Sequence, residues 1–227
     1  MKRIFIFFII LEVLVGSLNI YAAQDVVDRN LANPAAIFDD KMLFTGYVEK
    51  YKTEPKKVLL AMMNDSTLGQ FKIAAAVRVF KENFADNIVS TEKNFFEKVL
   101  LRLMAHEDSS FVQVEIMHTL IVLDRYRYFK IMVPRLVEKL DHYNDAVVDM
   151  AYDDLTDLIN KSTARIREAR IIFTTLRKVL FLSRKKLAVV QEPDEKLQKK
   201  LDLLFWSIKV LGKQELRQLP PEVIRLL

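Results

Sequence analysis

The chain has no cysteine, and it contains only 4 Gly and 6 Pro among 227 residues. Without cysteine it has no disulfide, no iron–sulfur cluster, no cysteine-ligated zinc and no thiolate nucleophile. A sheet protein of this length needs many turns, which glycine and proline favour, so their scarcity predicts helices. The sequence also lacks a glycine-rich phosphate loop and a Gly-x-Ser-x-Gly nucleophile elbow. We therefore expect an all-α protein that is not an enzyme and binds no cofactor.

Basic residues exceed acidic ones only slightly, with 35 Lys and Arg against 30 Asp and Glu. Hydrophobic residues make up 51% of the chain and charged residues 29%, which is typical of a globular protein. So small an excess of positive charge does not by itself indicate binding to nucleic acid. We expect no nucleic-acid partner, and the positions of the basic residues are more informative than their number.

The first residues of the chain have the features of a secretory signal peptide. A Lys-Arg pair precedes the apolar run IFIFFII, and small residues allow cleavage after Ala22 or Ala23, which gives a signal peptide over residues 1–23. Glu12 interrupts the apolar stretch, so a retained N-terminal anchor is the alternative. In either case we expect an exported protein in the periplasm. We interpret residues 24–54, which are mixed in polarity and broken by proline, as an N-terminal extension.

From Pro55 onward, apolar residues recur at three- and four-residue spacing, which indicates helices. The segment 134–159 resembles a HEAT-like (armadillo-type) helical hairpin. Its first helix carries Pro and Leu, an Asp marks the turn, and its second helix carries Val, Ala and Leu. The resemblance implies that hairpins stack on one another, because a single hairpin cannot bury its apolar face.

Other segments fit the same hairpin pattern. Helix 91–105 pairs with the stretch 106–124, an earlier copy covers 55–80, and a divergent copy pairs helices 164–186 and 194–212. The resemblance predicts a short right-handed α-solenoid of about four HEAT-like hairpins.

This solenoid would extend over residues 55–212. The remaining residues, 213–227, begin a last short helix with proline in its first turn, and we expect this helix to cap the array.

Glu115 and His118 form a Glu-x-x-His pair, the spacing with which carboxylate-bridged metal sites in helix bundles hold their ions. Such a site needs a second Glu-x-x-His segment, and the chain has 3 His, too few for a second complete set. The alternative is a core histidine whose ring is hydrogen-bonded. Apolar residues run nearly all the way round helix 111–123, so we expect it to be covered on several sides and favour this alternative. We expect no metal.

Asp149, Asp153 and Asp157 recur at every fourth residue and therefore fall on one face of a helix. Like charges in such a row repel one another unless cations or a basic partner offset them. We interpret the three residues as a solvated face or as a ridge that binds a partner. A catalytic or calcium-binding role is the alternative, and it lacks an accompanying pocket motif.

The strongest charge feature is the segment 161–186, in which Glu168 is the one acidic residue. A helix over this segment is amphipathic, because basic residues collect on one side and apolar residues on the other. The basic side consists of Arg167, Arg170, Arg177, Lys178, Arg184 and Lys185. Such a helix binds an acidic protein, lies on anionic lipid headgroups, or faces water with its apolar side in the core.

These observations predict a non-enzymatic scaffold or adaptor that binds another protein through a helical-repeat surface. The aspartate ridge and the basic helix would serve as its charged contact surfaces. The alternative is a protein held at an anionic membrane surface by segment 161–186 or by an uncleaved N-terminus. A metal-dependent enzyme is the third hypothesis.

Overall fold

A computed structural model describes residues 39–227. The predicted signal peptide or anchor of residues 1–23 and the first part of the extension 24–54 lie outside the described residues. Within them the chain forms ten α-helices and two short 3₁₀-helices, and no residue is in a strand. The prediction of an all-α fold is confirmed. The α-helices are α1 (Asp40–Tyr51), α2 (Lys56–Asn64), α3 (Gln70–Phe84), α4 (Ser90–His106), α5 (Ser110–Leu123), α6 (Arg125–Lys139), α7 (Asp145–Asn160), α8 (Arg165–Leu187), α9 (Glu195–Leu211) and α10 (Pro221–Leu226), and the 3₁₀-helices are Ala85–Asn87 and Lys213–Gln218.

Side-chain caps fix where several helices begin. Asp39 accepts hydrogen bonds from the first backbone N–H groups of α1, and Asp124, Asn144 and Asp194 do the same for α6, α7 and α9. These N–H groups have no partner within their own helix, so each cap stabilises the helix end that it closes.

Helices α2, α4, α6 and α8 form one row, which we name row A. The start of each helix lies beside the start of the next, so these helices run in the same direction. Ion pairs join these starts: Lys56 to Glu92 at 2.7 Å, Lys93 to Asp124 at 2.8 Å and Arg125 to Glu168 at 2.6 Å.

Helices α3, α5, α7 and α9 form a second row, which we name row B. Helix α3 packs along α5, α5 packs along α7, and Lys199 of α9 pairs with Asp149 of α7 at 2.6 Å. Each row A helix also packs against the row B helix that follows it in the chain. The apolar core lies between the two rows, because each helix directs its apolar stripe toward its neighbours.

Helix α5 is the most deeply buried element. Only Ser110, Gln113 and Val122 escape full burial along its length. Its neighbours are α3, α4, α6 and α7, which surround it. The prediction that this helix is covered on several sides is confirmed, and its polar residues Glu115 and Thr119 are therefore buried as well.

Helix α1 lies within residues that the sequence assigned to the N-terminal extension. Phe44, Tyr47 and Tyr51 recur along one side of α1 and are buried where it packs on α3. At the start of α1, Lys41 donates to Asp149 of α7 at 2.7 Å. Helix α1 therefore joins the first and third helices of row B.

The C-terminal residues pack against α8 and α9. Gly212 ends α9 with a φ of 107°, a conformation that favours glycine, and the chain then turns back along α8. Leu219 and Val223 are buried beneath this segment. None of the described helices combines the length and apolar composition that a membrane span requires.

Candidate functional site

A cluster of charged residues crosses the middle of row B, and we name it the ionic ladder. Each of three neighbouring helices contributes two residues that lie three positions apart, so both face the same side of their helix. The ionic ladder consists of Arg78 and Lys81 of α3, Glu115 and His118 of α5, and Asp154 and Asp157 of α7.

Short contacts connect these side chains from helix to helix. Arg78 donates through Nη2 to Glu115 Oε1 at 2.5 Å, and Lys81 Nζ donates to Glu115 Oε2 at 3.3 Å. His118 Nδ1 lies 2.5 Å from Asp154 Oδ1. The other ring nitrogen, Nε2, lies 3.3 Å from Asp157 Oδ2. The glutamate thus holds the two cations of α3, while the histidine holds the two aspartates of α7.

Most of the ladder is buried. The exposed fraction is 0% for Glu115, 3% for His118, 4% for Asp154 and 8% for Lys81. Charges removed from water to this extent are tolerated only when they are paired. The ring of Phe44 from α1 lies 4.6 Å from the Arg78 guanidinium carbon and covers this end of the ladder.

Two cations of the ladder, Arg78 and Lys81, face three carboxylates, and Lys161 at the end of α7 also pairs with Asp157 at 2.9 Å. Burial by itself lowers the pKa of His118, but the carboxylate of Asp154 outweighs it and the pKa is raised above its ordinary value of 6.5. The close contact with the His118 ring is the main reason why the pKa of Asp157 is lowered, and Lys161 lowers it further. Burial raises the pKa of Asp154, but Lys81 and His118 outweigh it and the pKa is lowered.

Lys81 Nζ also lies 2.8 Å from His118 Nδ1. The 2.5 Å contact between Nδ1 and the Asp154 carboxylate places a hydrogen on Nδ1, so this nitrogen donates to Asp154 and cannot accept from the ammonium group. The lysine therefore directs its hydrogens at Glu115 and at Asp154 Oδ1, 3.5 Å away. Lys81 therefore contacts a carboxylate of α5 and a carboxylate of α7.

This geometry is that of a buried histidine with a hydrogen-bonded ring, so the prediction for His118 is confirmed. Lys81 occupies the space next to Nδ1, where a metal ion would be repelled by the ammonium group. Among the residues that the structure describes, no group of three or more His, Cys, Asp or Glu side chains is arranged to hold a metal ion. An open cleft of about 320 Å³ lies beside the ladder, with Lys81, His118, Asp157 and Lys161 in its lining.

The predicted aspartate ridge lies on α7, and its three members differ in their surroundings. Asp149 accepts from Lys41 at 2.7 Å and from Lys199 at 2.6 Å. Burial raises the pKa of Asp149, but its hydrogen bonds with these lysines outweigh burial and lower it. Asp157 belongs to the ionic ladder. Asp153 is exposed, with a pKa raised mainly by partial burial, and it makes no ion pair with any described residue.

The predicted basic side of α8 is also divided. Its apolar side is buried as predicted, with Ile172, Phe173, Leu176 and Leu180 in the core. All four arginines of this basic side have contacts within the chain. Arg167 donates to Tyr126 O at 3.0 Å, Arg170 pairs with Glu215 at 2.8 Å, Arg177 donates to Gln218 at 2.5 Å, and Arg184 donates to Phe181 O at 2.9 Å.

Lys178 and Lys185 are exposed, and neither makes an ion pair with a described residue. The neighbouring helices α4 and α6 extend this basic surface, and this extension was not predicted from the sequence. We name the surface the basic outer face. It consists of Lys98 and Arg102 of α4, Lys130 and Arg135 of α6, and Lys178 and Lys185 of α8.

All members of the basic outer face are exposed. In helices α4, α6 and α8, Glu138 is the only acidic residue that is exposed. Comparing helices α4, α6 and α8 with one another would have revealed this surface, because each carries two exposed basic residues that lie four to seven positions apart. The sequence also gave no indication of the ladder residues Arg78, Lys81 and Asp154, because each one alone looks like an ordinary polar residue of its helix.

Comparisons with known proteins identify no relative of the chain. No protein-family model, curated protein or solved structure matches it. The resemblance to HEAT-like repeats therefore depends on the hairpin residues themselves.

Proposed function

We propose that the protein is an exported, non-enzymatic scaffold or adaptor, and that residues 55–212 form a right-handed HEAT-like solenoid of about four hairpins. The pairing of each row A helix with the next row B helix supports this repeat architecture. In this proposal residues 1–23 are the export signal, which is either cleaved or retained as an anchor. An N-terminal sequence of the exported protein that begins at Ala23 or Gln24 supports cleavage.

One observation carries the proposal. The charged groups inside the protein pair with one another, whereas the basic outer face presents cations that have no ion-pair partner among the described residues. Paired internal charges stabilise the register of the helices, and unpaired surface charges of one sign attract a partner of the opposite sign.

The aspartate ridge is the second contact surface in this proposal. Asp149 already holds lysines from α1 and α9, so the ridge binds lysine side chains carried by helices. Asp153 lies one turn further along α7 and is open to solvent. A basic segment of a partner protein that reaches Asp153 would extend the same pattern of contacts. The protein would then connect an anionic partner on row A with a basic partner beside α7.

Site-specific photo-crosslinking in the native envelope tests this proposal. A photoreactive residue is placed at Asp153 or Arg135, and for comparison at Lys209, an exposed position of α9. We expect a protein adduct of defined mass from Asp153, which is weakened when Asp149 is changed to Lys. If the adducts from Asp153 and Arg135 match those from Lys209 in identity and yield, the adaptor proposal is wrong.

A further inference from the structure

We infer that the basic outer face binds the surface of an anionic lipid bilayer. The inference rests on the proposed function, because it names the partner of the basic surface and leaves the aspartate ridge for a protein. It concerns a surface made by three helices rather than by α8 alone.

Ion pairs join the three helices to one another near their starts. Arg127 at the start of α6 pairs with Glu97 of α4 at 2.9 Å, and Arg125 pairs with Glu168 of α8 at 2.6 Å. Neighbouring packed helices lie about 8–10 Å apart. The cations of all three helices therefore fall within the reach of one extended anionic surface, and each Lys or Arg near such a surface adds to its affinity.

Large apolar side chains are exposed between these cations. The exposed fraction is 55% for Phe95, 52% for Ile131, 50% for Phe181 and 72% for Leu182. In the sequence of each helix they stand within one turn of a basic member of the surface, such as Lys130 beside Ile131. Alternation of this kind matches the boundary of a bilayer, where basic groups contact headgroup phosphates and apolar groups enter the acyl region.

The distribution of the apolar residues favours a bilayer over a protein helix as the partner. A helix that docks into a groove needs a contiguous apolar stripe to receive its anchors. Here the exposed apolar residues are divided among α4, α6 and α8, and basic residues stand among them. Because basic and apolar residues alternate over three helices, this surface suits a broad anionic ligand such as a bilayer.

Vesicle flotation of the full-length chain tests the inference. The vesicles contain either phosphatidylcholine alone or phosphatidylcholine with phosphatidylglycerol. The double variant Lys130→Glu with Lys178→Glu reverses two charges of the basic outer face, one on α6 and one on α8. The control, Lys209→Glu with Lys213→Glu, changes the net charge equally at exposed positions outside this face.

We expect the wild type and the control to float with anionic vesicles, and the double variant to partition at least roughly tenfold less. Binding should weaken as salt rises, because salt screens exposed charges. A Leu182→Ala variant should lose part of the binding without altering its salt dependence.

The inference is wrong if the wild type floats equally with neutral vesicles, or if the control loses as much binding as the double variant. It is also wrong if anionic vesicles fail to bind the wild type, whether or not a protein adduct at Arg135 disappears in the double variant. Loss of that adduct together with failed vesicle binding removes the bilayer but leaves the adaptor proposal intact, because the face would then bind an acidic protein. Absence of protein adducts at Asp153 and Arg135, with vesicle binding preserved, removes the adaptor proposal alone.

Discussion

His118 Nδ1 lies 2.5 Å from Asp154 Oδ1 in the middle of row B, and both residues are buried. This contact joins the central helix α5 to α7, just as Glu115 joins α5 to α3. Buried charges of this kind are tolerated only as a group, since each one depends on the others for its partner. The ionic ladder therefore makes the position of three helices depend on a few side chains.

Changing Asp154 to Asn should destabilise the protein strongly. The substitution leaves Lys81 and His118 with fewer opposite charges in a buried place, and loss of one partner in such a cluster costs about 3–5 kcal/mol. Urea unfolding followed by circular dichroism measures the change in the free energy of unfolding. Asp153→Asn, one residue away but exposed, is the matched control and should change that free energy by less than about 0.5 kcal/mol. Equal effects of the two substitutions would contradict the ladder as a stabilising element.

The stability that His118 contributes should decrease as pH rises. Its pKa is higher in the folded protein than the ordinary value of 6.5, because Asp154 and Asp157 face the ring and outweigh both burial and Lys81. The folded state therefore holds the proton more tightly than the unfolded chain does. This contribution is fully present below pH 6.5 and is lost as pH rises through the folded-state pKa of His118.

Unfolding free energies of the wild type and of His118→Asn, measured between pH 6 and pH 9, check this direction. The difference between the two proteins should be largest at the acidic end. His142→Asn is the control, because burial lowers the pKa of His142. The stability that His142 contributes should therefore increase with pH rather than decrease. A difference that grows toward pH 9 would show that His118 is neutral in the folded state.

Local apolar spacing was sufficient to predict much of the fold. The predicted helices 91–105, 164–186 and 194–212 agree with α4, α8 and α9 to within about two residues at each end. Burial of α5 followed from its nearly uniform apolar surface. Helix α1 was left in the extension because the residues before it are polar and proline-broken, although Phe44, Tyr47 and Tyr51 already have helical spacing.

The charged sites were less predictable, because ion pairs between helices have no local signature in the sequence. The sequence indicated a hydrogen-bonded His118, but the residues that face its ring nitrogens, Asp154 and Asp157, come from α7. Arg170 was predicted to lie on the basic side of its helix as a contact for a partner, and nothing in the sequence indicated that Glu215 from the C-terminal segment pairs with it. Which face of a helix remains charged and free depends on the elements that pack beside it, and these become evident only in the folded chain.

Changing Phe44 to Ala tests whether α1 is an integral part of the core. Its side chain is 2% exposed and lies over Arg78, so its loss opens a cavity at the end of the ionic ladder. Removal of a buried phenylalanine side chain costs about 3–5 kcal/mol. Met42→Ala in the same helix is the control, since Met42 is 49% exposed, and it should cost less than about 1 kcal/mol. Thermal and urea unfolding measure both effects, and similar small losses would mean that α1 is dispensable.

Gly212 and Gly69 should respond differently to replacement by alanine. Gly212 has a φ of 107° and a ψ of 155°, a conformation that is essentially limited to glycine, so alanine strains the end of α9. We expect Gly212→Ala to lower the free energy of unfolding by about 1–3 kcal/mol. Gly69 has a φ of −67°, and a Cβ there would meet no atom within 4 Å. Gly69→Ala should therefore remain within about 0.5 kcal/mol of the wild type, because the lower entropy of the unfolded chain offsets a poorer helix cap. Equal destabilisation in urea unfolding would show that the conformation of Gly212 does not set the turn between α9 and the C-terminal segment.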